Sequence, residues 1–277
     1  MKKTILTPVD YSEVSDVAIA HASEILKASK GDLLLFHVVK TSKQLFAAQR
    51  KMKIFAAKVQ AKYPEIMVKS LVRIGDVYDD IGNAALENNA ELIVMGTQGL
   101  KGFQIITGSR ALKVVANSEL PIIIVQKKTK KRKAYKNILV PMTIDKNSKQ
   151  KLTYAKHLAK YFNSKIFLLP QYEKDEFLRN KVERDINFSK QYFEEANLEY
   201  EVASLKEAGD DFMDYLKYSQ EKEIDLVVFM NQAESAYTLF DTKVQRVITN
   251  KSNIPVMLIN PKSTSFVSIF GNYSGQG

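Results

Sequence analysis

Ile5-Leu6-Thr7-Pro8-Val9-Asp10 returns 133 residues later as Ile138-Leu139-Val140-Pro141-Met142-Thr143. Two more segments repeat in the same order. Asn89 to Met95 returns as Glu223 to Phe229, and Glu119 to Val125 as Asn253 to Ile259. A repeat of this length points to two copies of one αβ unit, each long enough for its own core. The expected units are residues 1–127 and 134–261. Between them lies Lys127-Lys128-Thr129-Lys130-Lys131-Arg132-Lys133, a polar run that reads as an exposed linker.

Outward from the opening segment, Thr4 to Val9, Asp32 to Val39, Ile66 to Val72, Leu92 to Met95 and Pro121 to Val125 are short β-rich runs without polar alternation. Such runs suit strands covered on both faces, as in a parallel sheet. Helical spacing fills the gaps, over Glu13 to Ala28, Ser42 to Ala61, Asp76 to Asn88 and Ser109 to Asn117. Four helices between five strands, with right-handed crossovers, give an open, twisted parallel sheet with helices on both faces. The second copy repeats this order, with strands near 137–142, 164–170, 198–204, 225–230 and 255–260. Its second helix covers about Lys174 to Glu195. Gly75-Asp76 and Gly209-Asp210 each place an acid where a helix starts, an architectural cap. The aromatic tail, Thr264 to Gly277, could dock on a neighbour or fray.

The formal net charge is +10, and residues 127–133 carry +6 of it. Without interleaved aromatics or a nucleic-acid motif, this run reads as a solvated linker, and no nucleic-acid partner is expected. There are no cysteines, which excludes disulfide and thiolate chemistry. No stretch reaches the roughly 18 apolar residues of a membrane helix. Neither a membrane partner nor a secretion signal is expected, and the location expected is cytoplasmic.

The chemistry concentrates after the fourth strand, in Met95-Gly96-Thr97-Gln98-Gly99-Leu100-Lys101-Gly102, and continues to Gly108-Ser109-Arg110. Glycines allow close backbone approach, and a helix opening at Gly108-Ser109 offers N–H donors to an anion. Thr97, Thr107 and Ser109 can add hydroxyl hydrogen bonds, and Lys101 or Arg110 positive charge. The same glycines could simply shape a loop before a capped helix. The pattern is neither a Rossmann fingerprint nor a P-loop. Asp10 ends the first strand at the same sheet edge, where it either caps the first helix or accepts hydrogen bonds from a ribose or base. The second copy replaces Asp10 with Thr143 and keeps no glycine between Met230 and Thr242. A phosphate site therefore belongs to the first half.

With Ile5 to Ser12, Phe36-His37-Val38-Val39, Gly96 to Ser109 and Pro121 to Val125, the chain resembles the universal stress protein family, as a tandem two-domain member. The resemblance implies Rossmann-like sheets of strand order 3-2-1-4-5 that bind an adenine nucleotide. It also implies pairing of domains through their last strands, here the two halves of one chain, with a homodimer as further assembly. The family's nucleotide loop runs Gly, two residues, Gly, nine residues, Gly-Ser/Thr. Here Gly96 and Gly99 fit, but eight residues separate Gly99 from Gly108-Ser109. Carried over by position, Asp10 meets the adenosine, Val38 lines the adenine pocket, and Gly99, Gly108 and Ser109 hold phosphates. Gly96 lets the loop close. Pro8, Val9, Met95, Thr97 and Arg110 complete the expected nucleotide site.

The expected ligand is thus ATP or another adenine nucleotide, with magnesium near Asp10, and the function is regulatory, through an unnamed partner in the stress response. A ligand-free scaffold and a slow ATP hydrolase are the alternatives. Of the three histidines, His21 and His157 fall in helix patterns and read as packing or surface residues. His37 ends the second strand and could approach a ligand. No HExxH-type metal motif occurs.

Overall fold

The computed structural model describes residues 3–97, 114, 118–130, 134–144, 149–204, 212–231, 246 and 248–261. The first half contains β1 (Thr4–Pro8), α1 (Glu13–Ser29), β2 (Asp32–Val39), α2 (Ser42–Lys62), β3 (Met67–Ile74), α3 (Val77–Glu87), β4 (Ala90–Thr97) and β5 (Ile122–Gln126). The second contains β6 (Asn137–Met142), α4 (Gln150–Phe162), β7 (Lys165–Pro170), α5 (Glu176–Glu194), β8 (Tyr200–Val202), α6 (Phe212–Glu221), β9 (Leu226–Met230) and β10 (Val256–Ile259). The expected helix at 109–117 lies outside the described residues except for Val114, as do Gly209-Asp210 and the tail beyond residue 261.

All ten strands form one sheet, ordered β3-β2-β1-β4-β5-β10-β9-β6-β7-β8. Each half is parallel with the expected order 3-2-1-4-5, and the halves join where β5 runs antiparallel to β10. Ile123 sits opposite Met257 in that pair. The repeat thus becomes a pseudo-twofold: each half covers the other's last strand, which would otherwise be an open edge.

Alternation along the strands explains why nearly every strand residue is apolar. Ile5, Leu33, Leu35, Val94, Ile123 and Val125 face α1, while Leu6, Leu34, Phe36, Ile93, Met95 and Ile124 face α3. A sheet buried on both faces leaves no solvent side for polar residues. On one face α1, α2, α4 and α5 share a single core that runs across both halves; on the other there are two clusters, one joining the first half to Ile248, Val256 and Leu258 and one confined to the second half.

The linker is not exposed throughout. Lys127, Lys128 and Lys130 face solvent, but Thr129 and Tyr135 are buried. The Thr129 hydroxyl donates to the Asn253 carbonyl (2.9 Å) and accepts from the Gln126 N–H (2.9 Å). His21, buried in α1, holds the other end: its Nε2–H donates to the Lys130 carbonyl (3.1 Å), so Nδ1 accepts from the Tyr135 hydroxyl (2.7 Å). A carbonyl can only accept, and that fixes the tautomer. The expectation of an exposed linker holds for Lys127, Lys128 and Lys130 but not for Thr129, whose tertiary hydrogen bonds composition does not register; Tyr135, just beyond the run, adds a second anchor.

Candidate functional site

In the order 3-2-1-4-5 the chain reverses direction across the sheet between β1 and β4, and a crevice opens at their carboxyl ends. A cleft of about 950 Å³ lies there. Its walls come from the ends of β1, β2 and β4, the first turns of α2, and the β3–α3 junction. Pro8, Val9, Asp10, Val38, Met95 and Gly96, six of the expected site residues, all line it. Thr97 follows as the last residue of β4 and is fully buried. Gly99, Gly108, Ser109 and Arg110 lie outside the described residues.

Of the two roles expected as alternatives for Asp10, the structure shows the first, support of the start of α1. Oδ1 accepts from the Ser12 N–H (3.1 Å), the Ser12 hydroxyl (2.6 Å) and the Ser15 hydroxyl (2.5 Å). Ser12 in turn is the N-cap of α1 and accepts from the Ser15 N–H. The carboxylate is thereby tied to a helix N-terminus, where the dipole favours negative charge. Oδ2 is buried and, among the described residues, has no hydrogen-bond partner. A buried carboxylate oxygen without a donor costs about 1–3 kcal/mol, and a ligand hydroxyl or cation could relieve that cost.

Tyr11 follows with φ 68°, the left-handed region that bulky side chains avoid. Its ring meets Phe55 edge-on (5.2 Å) and His37 at a tilt (5.1 Å), and the Lys51 ammonium sits 3.8 Å from its centre. Burial pushes the Tyr11 phenol pKa upward. His37 Nδ1–H donates to the Val9 carbonyl (2.7 Å), which leaves Nε2 as the acceptor nitrogen. His37, near the end of β2, lines the cleft.

Gly96 is not where the strand ends; β4 continues through Thr97. Its lack of a side chain serves packing. A Cβ would stand 2.6 Å from Val14 Cγ2 and 2.9 Å from the Val14 carbonyl oxygen. The first turn of α1, which carries Ser15 toward Asp10, therefore sits directly on this glycine. At the third strand's end, Asp76 accepts from the Tyr78 N–H (2.8 Å) and caps α3, as expected, while also lining the cleft.

Sequence reasoning missed Tyr11, Ser15, Gln44 and Lys51. The Ser12-to-Ser15 spacing after Asp10 was a legible signal for a polar helix start. The Tyr11 backbone and the approach of α2 had no signal in sequence.

The second half fills the same place with its own side chains. Lys151, at the repeat position of Ala18, is 1% exposed. Its ammonium donates to the Pro141 carbonyl and lies 3.5 Å from the Thr143 hydroxyl. Gln171 turns to Glu173 (2.6 Å) and Lys181 donates to the Ile144 carbonyl. A smaller cleft of about 290 Å³ remains beside Pro170 and Arg179.

Two doubly wound parallel halves, one with an open crevice at its switch point, define a tandem α/β protein of the type that binds ligands beyond the carboxyl ends of its strands. The profile of the universal stress protein family matches residues 1–126. Universal stress protein G of Escherichia coli O157:H7 is 31% identical over 145 residues, covering 46% of this chain and all of that protein. Universal stress protein MJ0531 of Methanocaldococcus jannaschii is 28% identical over 143 residues, covering 46% and 84%. A universal stress protein structure from Archaeoglobus fulgidus covers 93% of this chain and 96% of its own, with TM-score 0.70 and 16% identity, so both halves share that fold. The chain belongs to the universal stress protein family. Among the described residues no helix is long and apolar enough to cross a membrane, and no group of three or more His, Asp or Glu side chains could hold a metal ion.

Proposed function

We propose that this chain is a regulatory protein that binds an adenine nucleotide in the first-half cleft and leaves the second half as scaffold. The observation that carries the reading is Asp10: one carboxylate oxygen anchors α1, and the other is buried, without a partner among the described residues, and Asp10 lines a cleft of about 950 Å³. That oxygen suits a ribose hydroxyl or base N–H. It equally suits magnesium, a hard cation that takes one or two carboxylates along with nucleotide phosphates. The volume matches a nucleotide-sized ligand. Gly99, Gly108 and Ser109 are proposed as the phosphate contacts, with Arg110 adding charge.

The continuous ten-stranded sheet favours a second reading, a ligand-free scaffold. Slow ATP hydrolysis, with Asp10 and magnesium, is a third.

Calorimetry with ATP, ADP and AMP, with and without magnesium, separates these on wild type, Asp10→Asn and Gly108→Asp. Asn keeps an acceptor for Ser12 but turns the free oxygen into an NH₂ donor. The expected result is wild-type binding that weakens about 10- to 100-fold in Asp10→Asn, as for loss of a charged hydrogen bond. Absence of binding up to millimolar nucleotide leaves the scaffold.

A further inference from the structure

Helix α2 is the anomaly of the surface. Its 21 residues include Lys43, Arg50, Lys51, Lys53, Lys58 and Lys62 and no acidic residue. Among the described residues none of these six cations is in an ion pair; the contacts they make are to rings, Lys51 over Tyr11, Arg50 over Phe46 and Lys62 over Tyr63. Only Met52 and Val59 of the helix are buried. Two large apolar side chains project instead: Phe46 is 71% exposed and Ile54 61%. At about 100° per residue, Phe46, Arg50, Lys53, Ile54 and Ala57 fall on one outward face. The helix at the same place in the second half, α5, balances Arg179, Lys181, Arg184 and Lys190 with Glu176, Glu183, Asp185 and Glu194. The charge is therefore a property of α2, not of the repeat.

We propose that the outward face of α2 docks on an anionic lipid surface, lying in the interface plane with Phe46 and Ile54 at the acyl boundary. Anionic headgroups attract each Lys or Arg near the surface by about 1 kcal/mol, and Phe46 and Ile54 project from among these cations far enough to enter the acyl boundary. A second copy of the chain fits poorly, because a twofold contact through this face would set Arg50 and Lys53 against their own copies with no acidic residue of the helix to offset them. Duplex nucleic acid would use the charge but give Ile54 nothing to stack on. A peptide helix needs a groove, whereas here the apolar side chains stand out as a ridge. The inference departs from the expectation of no membrane partner, which rested on the absence of a spanning segment. It is independent of the nucleotide reading.

Co-sedimentation of the full chain with vesicles tests it, using phosphatidylcholine alone or phosphatidylcholine with phosphatidylglycerol in equal parts. The variants are Arg50→Gln/Lys53→Gln/Lys58→Gln, Phe46→Ser/Ile54→Ser and, as a control of equal charge loss, Lys127→Gln/Lys128→Gln/Lys130→Gln. All of these change exposed side chains, and circular dichroism checks their folding. Expected are binding to anionic vesicles alone, loss at high salt, about 100-fold weaker binding for the α2 charge variant, and weakening for the Phe46/Ile54 pair. The linker variant should stay within about threefold of wild type, since the linker is not the docking face. The proposal is overturned by no binding, by equal binding to neutral vesicles, or by a linker variant that loses as much as the α2 variant. Release of the protein from vesicles by a duplex oligonucleotide that binds it more tightly also overturns it.

Discussion

Replacing Gly96 with alanine tests the packing on which the first-half cleft rests. The added Cβ would lie 2.6 and 3.0 Å from the two Val14 methyls and 2.9 Å from the Val14 carbonyl oxygen. Carbon atoms prefer about 3.5–4.0 Å, so the start of α1 must move by several tenths of an ångström. Overpacking of this kind costs about 1–3 kcal/mol. Alanine recovers roughly 0.5–1 kcal/mol through its smaller unfolded-state entropy, for a net loss of about 1–2 kcal/mol. Val14→Ala removes both crowded methyls from a site only 1% exposed and should by itself cost about 2 kcal/mol. In the double variant the methyl clashes vanish while the carbonyl contact stays. The combined loss should therefore fall short of the sum by about 1 kcal/mol. Urea unfolding followed by far-ultraviolet circular dichroism measures all three variants. The same displacement of α1 carries Ser15 away from Asp10, so nucleotide affinity should fall about tenfold in Gly96→Ala and partly recover in the double. An unchanged urea midpoint for Gly96→Ala, or strictly additive losses, would refute the claim that glycine is there to admit the helix.

Thr129→Val keeps the shape of the linker but strands the Gln126 N–H and the Asn253 carbonyl; a loss of about 1–3 kcal/mol in urea unfolding is expected, and no change would remove the linker staple from the account. Burial holds the His157 pKa down at about 4, with Lys156, Lys3 and Lys160 adding repulsion. A base with a depressed folded pKa stabilises the fold above its unfolded value and loses that contribution as pH falls from about 6.5 toward 4. Glu91, raised by burial, acts in the opposite sense, so the test is a comparison. His157→Gln should flatten the acid limb by about 1–2 kcal/mol in urea midpoints taken across that range, the figure allowing for partial exposure. Lys151→Ala should cost about 2–4 kcal/mol by emptying a buried site, yet leave nucleotide binding in the first half unchanged by calorimetry. A parallel loss of binding would contradict the independence of the two clefts.

The architecture was legible because the repeat and the hydrophobic runs are local signals. Short apolar β-rich segments alternating with helical spacing leave little but a doubly wound sheet, and the matching of Ile5–Asp10 to Ile138–Thr143 doubles it. That Asp10 and the end of β4 would share one edge was legible because strand ends in such a sheet face one side, and Val38 came from the family resemblance; all of them line the cleft. Strand limits were less so: β4 runs from Ala90 to Thr97 where Leu92 to Met95 was expected, because pairing with β1 and β5 extends it past its apolar centre.

Sequence by itself determined the two halves, their parallel strands, the loss of the second site's glycines and the acid at the end of β1. Only the tertiary structure decided what those residues do to one another. That Gly96 makes room for Val14, that Asp10 divides its oxygens between a helix cap and a cleft, that Lys151 reaches Pro141 and Thr143, and that His21 and Thr129 pin the linker are contacts between residues far apart in the chain or set by one local backbone angle. Pattern and propensity report what a residue prefers locally; which distant atom it meets is fixed only when the sheet closes and brings both within hydrogen-bond reach.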